Sequence, residues 1–177
     1  MRYVRRRECV IQAGAHVGYW PAYLSVEFAR VVSFEAVLSN WRCATEAQVG
    51  HDVLIFPAAV SDHIGTVNIG ALDPEKELRF SGSGAVNLKG REVACVTLDS
   101  LPRWMTDKVG LIVLDIEGHE MPALYGAVRL LSEFHPVITI EENAKSLRHR
   151  EAGAAEHFLA AHGYTYRERV GSDLIFT

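Results

Sequence analysis

The 177-residue chain lacks paired cysteines, long apolar runs and a strong excess of either charge. Its three cysteines, Cys9, Cys43 and Cys95, are far apart and show no metal-ligand spacing. A disulfide framework is therefore excluded, and we expect a reduced, cytoplasmic protein. Because no run of about 18 apolar residues occurs, we expect no membrane span. The net charge of −4 favours neither nucleic acid nor a membrane surface as partner.

The composition is that of an ordinary soluble globular protein, with 49% hydrophobic and 23% charged residues. The length predicts a single domain over residues 1–177. The one basic run, Arg2–Arg7, is either a solvated arm or an arm that contacts an anion near the active site. A signal peptide is not expected, because Glu8, Gln12 and His16 interrupt the apolar region that follows.

Strand-like and helix-like segments alternate along most of the chain, which predicts an α/β fold with a doubly wound, parallel sheet. Ser39 or Asn40 is the expected cap of the second helix. The expected segments are a strand over 8–13, a helix over 19–29, a strand over 31–35, a helix to about 49, a strand over 52–60 with its core at 53–56 and its exit loop at 59–62, a strand over 111–115, a helix over 120–132, a strand over 136–141, a helix over 151–162 and a hairpin of 164–166 with 173–176.

The segment 65–98 interrupts this alternation. Two strand-like pieces, 66–69 and 92–96, flank a stretch that contains Gly and Ser at 81–84. We expect a β-hairpin-like antiparallel insertion within the domain. Its Gly/Ser stretch is either a lid over a binding site or a plain surface loop.

Polar side chains follow the predicted parallel strands where each one ends. Because open α/β sheets bind ligands at the carboxyl ends of their strands, these residues predict a polar rim around a crevice. Taken singly, each could instead cap the helix that follows it. The residues are Gln12, Glu35, Asp62, Asp115 with Glu117, and Glu141 with Glu142.

The turn after the first strand carries two glycines, Gly14 and Gly18. A dinucleotide fingerprint counted from Gly14 would need glycine at positions 16 and 19, which hold His16 and Tyr19, and no Walker A motif occurs. The turn instead resembles the glycine-rich motif of S-adenosylmethionine-dependent methyltransferases. The second strand ends in Glu35, whose carboxylate can accept hydrogen bonds from both hydroxyls of a ribose.

Five segments resemble, in order, the markers of the FkbM-type methyltransferases, from about residue 9 to residue 142. The most specific is the DxEGxE signature formed by Asp115, Glu117, Gly118 and Glu120. The segments are QAGAHVGYW, VVSFEAVLSN, AAVSD, VTLDSL and VLDIEGHEMPALYGA.

This resemblance implies a class I methyltransferase, a Rossmann-like three-layer sandwich. Its mostly parallel, seven-stranded sheet has the order 3-2-1-4-5-7-6, with an antiparallel last strand. It also implies S-adenosylmethionine as methyl donor and a hydroxyl of a saccharide or secondary metabolite as acceptor. The implied contacts are Gly14, Ala15 and Gly18 at the methionyl end, His16 in the same turn, Glu35 at the ribose, Ser61 and Asp62 at the adenine, and Asp115 and Glu117 beside the transferred methyl group.

Two positions depart from the family pattern: Gln12 stands where Asp is usual, and His16 where Asn is usual. Gln12 could still bind the cofactor's amino group through its carbonyl, but it carries no charge; it could also be a packed strand-end amide. The departure leaves open a cofactor-binding or scaffold protein without activity. An NAD-dependent oxidoreductase is a third reading, disfavoured by the glycine spacing.

Removal of a proton from an alcohol acceptor calls for a general base, and the candidates are Asp115, Glu117, His119 and Glu120. We favour Asp115 as the group nearest the methyl and Glu117 as base or acceptor-orienting group. Glu120 could instead stabilise a helix N-terminus, and His119 could be a surface residue. The paired carboxylates could hold a divalent cation, but we expect no metal.

Little sequence precedes the first predicted strand in this chain. We therefore expect either an open site or one that a neighbouring subunit completes in a homo-oligomer.

Overall fold

The computed structural model describes residues 2–47, 52–71, 84–86, 90–142 and 153–177. A short 3-10 helix covers Leu98–Ser100. The strands are β1 (Cys9–Ala13), β2 (Arg30–Phe34), β3 (Val53–Phe56), β4 (Ala59–Val60), β5 (Gly65–Ala71), β6 (Gly84–Val86), β7 (Arg91–Val96), β8 (Val109–Leu114), β9 (Val137–Glu141), β10 (Tyr166–Val170) and β11 (Asp173–Phe176). The helices are α1 (Tyr19–Glu27), α2 (Leu38–Glu46), α3 (Arg103–Thr106), α4 (Glu120–Tyr125), α5 (Val128–Phe134) and α6 (Ala154–Ala161).

The central sheet has seven strands in the order β3-β2-β1-β8-β9-β11-β10. Parallel pairs join β3 to β2, β2 to β1, β1 to β8 and β8 to β9, whereas β11 runs antiparallel to both β9 and β10. Counting only these seven strands along the chain gives 3-2-1-4-5-7-6 with an antiparallel last strand. The fold class expected from the resemblance, a class I methyltransferase sandwich, is confirmed.

Both faces of the sheet are covered, as near-continuous apolar strands require. On one face Ile11 belongs to a cluster with Leu130 of α5 and Leu159 of α6. On the other face Val10 packs in a cluster with Leu24 of α1. These five side chains are completely buried, and each such burial contributes roughly 1.5–3 kcal/mol of transfer free energy.

The insertion and β4, which precedes it, form a second, four-stranded sheet of order β4-β7-β5-β6. As expected, β5 runs antiparallel to β7 and β6, while β4 pairs in parallel with β7. The strand expected over 52–60 is too long: its core at 53–56 is β3 of the central sheet, whereas 59–60, expected at its exit, form β4 of the second sheet. Pro57 lies between them and has no backbone N–H for a ladder. Most of the Gly/Ser stretch at 81–84 lies outside the described residues, so the lid stays a prediction.

Two helix predictions need correction. The helix expected over 120–132 is two helices, α4 and α5, with a break at Gly126, where a Cβ would lie 2.1 Å from the backbone oxygen of Ser61. The expected caps Ser39 and Asn40 lie inside α2, whose N-cap residue Val37 has no side-chain capping bond. Other boundaries agree within a few residues where they are described. The expected helix end at about 49 and the expected helix start at 151–152 lie outside the described residues. No described helix combines the length and apolarity needed to cross a membrane.

Candidate functional site

A cavity of about 500 Å³ lies at the carboxyl ends of β1, β2, β8 and β9. It therefore occupies the edge of the sheet where the sequence predicts a polar rim. The second sheet supplies one wall through Ala59, Val60 and Ile69. The remaining lining residues are Ala13, Gly14, Ala15, His16, Tyr19, Trp20, Phe34, Glu35, Ala36, Val37, Asn40, Ala58, Asp115, Ile116, Glu117, His119 and Glu141.

The turn after β1 depends on its glycines. Gly14 has φ +94° and Gly18 has φ +101°, a region that other residues rarely adopt. A Cβ on Gly14 would lie only 1.9 Å from the backbone oxygen of Asp115, so no side chain fits between the turn and the end of β8. The N–H groups of Gly14 and Ala15 both donate to the carbonyl of Phe34, at 2.9 and 3.0 Å. These contacts fix the turn against the ends of β2 and β8, and Gly14 and Ala15 line the cavity, so a ligand can approach their backbone there.

Glu35 joins the ends of β1 and β2 at the cavity. The residue is 7% exposed. Oε2 accepts the N–H of His16 at 2.7 Å and Oε1 accepts that of Val37 at 2.8 Å. Burial raises the pKa of Glu35, and the two backbone donors oppose that shift. Because a carboxylate offers about four acceptor positions, Glu35 can still receive hydroxyl donors from a ligand.

Gln12, one residue from the end of β1, is completely buried and does not line the cavity. Its Oε1 accepts a hydrogen bond from the hydroxyl of Ser33, its partner across β1 and β2. Its Nε2 has no hydrogen-bond partner in the described part of the chain. The arrangement is the packed strand-end amide that the sequence left open, and a contact between Gln12 and a cofactor stays a prediction.

Carboxyl groups meet at the ends of β8 and β9. The side chains of Asp115 and Glu141 share a hydrogen bond, which requires one proton between them, and Asp173 pairs with Glu141 across β11 and β9. Burial first, then the charges of Glu141 and Glu117, raises the pKa of Asp115 to about 8. Within the described ranges no three His, Cys, Asp or Glu side chains are arranged to hold a metal ion.

Glu117 follows in the turn after β8 with a φ of +54°, a strained conformation for a residue with a side chain. It lines the cavity, and its buried Oε2 has no hydrogen-bond partner among the described residues. Such an oxygen loses its hydration without compensation unless a ligand donates to it. Strain and an unsatisfied acceptor in one cavity residue indicate a ligand contact.

Glu120, by contrast, is completely buried and lies outside the cavity lining. Its Oε1 accepts the N–H of Gly118 at 3.0 Å and that of Ile116 at 3.3 Å. These bonds fold the turn back on the start of α4 and thereby present Glu117 to the cavity. The geometry gives Glu120 a positioning role, and its candidacy as general base stays an untested prediction.

His119 lines the cavity, and its Nε2 lies 2.9 Å from the hydroxyl oxygen of Ser61. Ser61 is completely buried, and neither it nor Asp62 is part of the lining. Both residues follow directly after Val60, which does line the cavity. Their predicted contacts with an adenine stay predictions. The same holds for Gly18, which is the N-cap residue of α1 and does not line the cavity.

Several lining residues were not among the predicted site residues. Glu141 was noted at its strand end, but its contact with Asp115 was not foreseen. Asn40 was expected only as a cap. Tyr19, 82% exposed, and Trp20 open α1 directly after Gly18. Their position beside the glycine turn was the one available signal.

The Arg2–Arg7 run contacts other parts of the surface. Arg2 pairs with Glu168, Arg7 with Glu27, and Arg6 donates to the carbonyl of Phe134 at 2.6 Å. None of these arginines is among the residues that line the cavity. The structure therefore agrees with the solvated-arm interpretation.

The raised pKa of Asp115 predicts how stability depends on pH. The folded state retains a proton up to about pH 8 that the unfolded chain loses near its ordinary pKa of about 3.9, so the free energy of unfolding falls as pH rises between these values. In Asp115→Asn this fall should be smaller by about 1–2 kcal/mol. Urea unfolding at a series of pH values measures it, with the exposed Asp107→Asn as matched control. Parallel profiles for wild type and Asp115→Asn would contradict the expected protonation.

Comparison with known proteins shows the family to which the chain is similar. A family model described as the methyltransferase FkbM domain matches residues 12–166. A comparison with curated proteins finds no match.

Solved structures share the fold. An FkbM methyltransferase from Methylobacillus flagellatus KT superposes with a TM-score of 0.65 at 19% identity, covering 96% of this chain and 43% of that one. Magnesium protoporphyrin IX methyltransferase from Synechocystis PCC 6803, solved with bound SAM, gives 0.53 at 13% identity over 94% and 67%. An rRNA methylase from Streptococcus thermophilus gives 0.55 at 7% identity over 99% and 87%. This chain thus spans less than half the length of the FkbM structure.

Proposed function

The chain belongs to the FkbM methyltransferase family, and from that membership we propose that it transfers a methyl group from S-adenosylmethionine to a hydroxyl oxygen of a saccharide or secondary metabolite. The family implies S-adenosylmethionine as the cofactor. One observation carries the proposal for this chain. The cavity is lined on one side by the turn at Gly14, where no side chain fits, and on another by the buried Glu35.

The residues of the cavity fit the donor. Gly14 and Ala15 line the cavity, where the methionyl part would lie against the backbone of the turn. Glu35 would accept both ribose hydroxyls in charge-assisted hydrogen bonds, a contact that suits an adenosine without phosphates. The apolar wall of Val37, Val60 and Ile69 suits the faces of an adenine ring.

When bound, S-adenosylmethionine supplies a methyl group on a positively charged sulfur, so that the protein's main task is alignment. Asp115 and Glu117 lie at the end of β8, on the far side of the glycine turn from Glu35. The unsatisfied Oε2 of Glu117 would accept a hydrogen bond from the acceptor hydroxyl and orient it. Holding the acceptor oxygen about 3 Å from the methyl carbon is worth several kcal/mol of the barrier.

The acceptor class is proposed from the residues around the donor site. Tyr19 and Trp20 add aromatic faces to the cavity, and the carboxyls of Glu117 and Glu141 add hydrogen-bond acceptors. Aromatic faces combined with such acceptors suit a molecule that carries both apolar C–H groups and several hydroxyls. Saccharides and hydroxylated secondary metabolites have this character.

A second candidate function is cofactor binding without turnover. The observation that favours it is Gln12, because this position near the end of β1 holds a neutral, buried amide instead of an acid. A donor bound without that acid could bind weakly or in an unproductive position.

Methyl-labelled S-adenosylmethionine and a panel of saccharides and small hydroxylated acceptors test the proposal. We expect label in at least one acceptor, and a rate lowered by about 100-fold in Glu117→Gln, since alignment of the hydroxyl would be lost. The exposed Glu46→Gln is the matched control. Binding of S-adenosylhomocysteine without label transfer to any acceptor would overturn the proposal in favour of the second candidate.

A further inference from the structure

We infer that His119 is the general base of the proposed methyl transfer, accepting the acceptor's proton at Nδ1, and that Ser61 and Asp62 are positioning residues that hold its ring for this task. The inference rests on the proposed function and assigns its proton-transfer step. It is carried by a row of hydrogen bonds that leads from the cavity to the surface.

The row begins at the cavity with His119, whose Nε2 lies 2.9 Å from the Ser61 hydroxyl oxygen. The Ser61 oxygen lies 3.2 Å from Oδ1 of Asp62, and the same Oδ1 lies 2.7 Å from Nδ1 of His63. Ser61 is completely buried, whereas the Asp62 and His63 side chains are about half exposed, at 50% and 53%. The carboxylate therefore acts on the histidine through one buried hydroxyl.

Counting protons along the row fixes the tautomer of His119. A carboxylate can only accept hydrogen bonds, so Asp62 accepts one from the hydroxyl of Ser61 and one from Nδ1–H of His63. The single proton of the Ser61 hydroxyl is used in the first of these bonds. The Ser61 oxygen must then accept from Nε2–H of His119. A neutral imidazole protonated at Nε2 carries its lone pair at Nδ1, and that atom has no hydrogen-bond partner in the described part of the chain. The cavity residue thus has a free base nitrogen.

The electrostatic surroundings agree with this assignment. Burial lowers the pKa of His119, so the ring is neutral and able to accept a proton at neutral pH. The hydrogen bond from His63 lowers the pKa of Asp62 and keeps it charged. The Asp62 charge raises the pKa of His119 and the His63 charge lowers it. On the turn that carries His119, the neighbouring charged groups are Glu117 and the buried Glu120.

Asp115, the group expected nearest the methyl, is poorly suited to act as base. Its pKa is raised to about 8, and it shares a proton with Glu141, so it holds a proton at neutral pH. His119 is the cavity group in which burial favours the unprotonated form. The division of labour is then that Glu117 orients the hydroxyl and His119 takes its proton.

The step balances as follows. The acceptor O–H bond breaks as its proton passes to Nδ1 of His119, and the acceptor oxygen bonds the methyl carbon. The electron pair of the broken S–C bond stays on sulfur, which becomes a neutral thioether. The resulting imidazolium donates to Ser61, whose oxygen is polarised by Asp62, and it loses its Nδ1 proton to water once the methylated product leaves.

Imidazole nitrogen NMR of the full chain tests the tautomer directly, with the His119→Gln spectrum identifying the signal. We expect the Nε2–H tautomer at neutral pH, a loss of that preference in Ser61→Ala, and a lower His119 pKa in Asp62→Asn because an attractive charge is removed. The exposed Asp107→Asn should leave the tautomer and the pKa of His119 unchanged. An Nδ1–H tautomer in wild type, or a His119 pKa that is the same in Asp62→Asn, would overturn the inference.

The rate measurement separates this inference from the proposed function. In the label-transfer assay, His119→Gln should lower kcat by about 100- to 10,000-fold with S-adenosylhomocysteine affinity unchanged. Asp62→Asn should move the acid limb of the kcat profile to lower pH. If the chain binds no S-adenosylhomocysteine, the proposed function itself fails. If it binds and transfers label while His119→Gln keeps the wild-type rate, only the assignment of the base fails.

Discussion

Replacing Gly14 with alanine is expected to abolish binding of S-adenosylhomocysteine and to lower the free energy of unfolding by about 3 kcal/mol. The new Cβ would lie 1.9 Å from the backbone oxygen of Asp115, so the turn after β1 and the end of β8 would have to separate. The residue would also keep a φ of +94°, which costs a residue with a side chain about 1–2 kcal/mol.

Gly153→Ala and Gly171→Ala are matched controls for the backbone term. Both glycines have positive φ, at +79° and +63°, but a Cβ on either would meet nothing within 4 Å. Urea unfolding and titration calorimetry with S-adenosylhomocysteine measure the two effects. The close approach would not be responsible if Gly14→Ala cost no more stability than the controls and bound the ligand equally well.

The second large effect is expected for Glu35→Gln, which should weaken S-adenosylhomocysteine binding by about 100-fold or more. The variant keeps the size of the side chain but removes its charge. Its amide can accept only one of the N–H groups of His16 and Val37, and its NH₂ would face the other donor. The ribose hydroxyls would also lose a charged acceptor.

Glu46→Gln, exposed at the end of α2, controls for the loss of one negative charge. Calorimetry of both variants at the same ionic strength separates the local effect from the change in net charge. Equal affinity in Glu35→Gln and wild type would remove Glu35 from the donor site.

The fold was largely predictable because its strands are short apolar runs that alternate with helical segments, and because several segments resemble one family. The division of residues 52–60 between two sheets was not predictable from the sequence. Phe56 and Ala59 are both apolar and read as one strand, and only the second sheet, built from β5 and β7, shows why Ala59 pairs elsewhere. The break at Gly126 likewise depends on the distant Ser61 carbonyl.

For the site, the location was predictable and the contacts were not. Strand-end residues such as Glu35 and Asp115 collect at one edge by the geometry of parallel sheets. The pairings of Asp115 with Glu141 and of His119 with Ser61 join residues far apart in the chain, so they cannot be predicted from local sequence spacing. The buried position of Gln12 also depends on how Ser33 packs beside it.

Titration calorimetry of the wild-type chain with S-adenosylhomocysteine, and separately with NAD, tests the central claim most directly. The glycine turn and Glu35 predict one S-adenosylhomocysteine bound per chain, with binding lost in Gly14→Ala and strongly weakened in Glu35→Gln, and no heat from NAD. Binding of NAD together with no binding of S-adenosylhomocysteine would contradict the assignment of this cavity as a methyl-donor site.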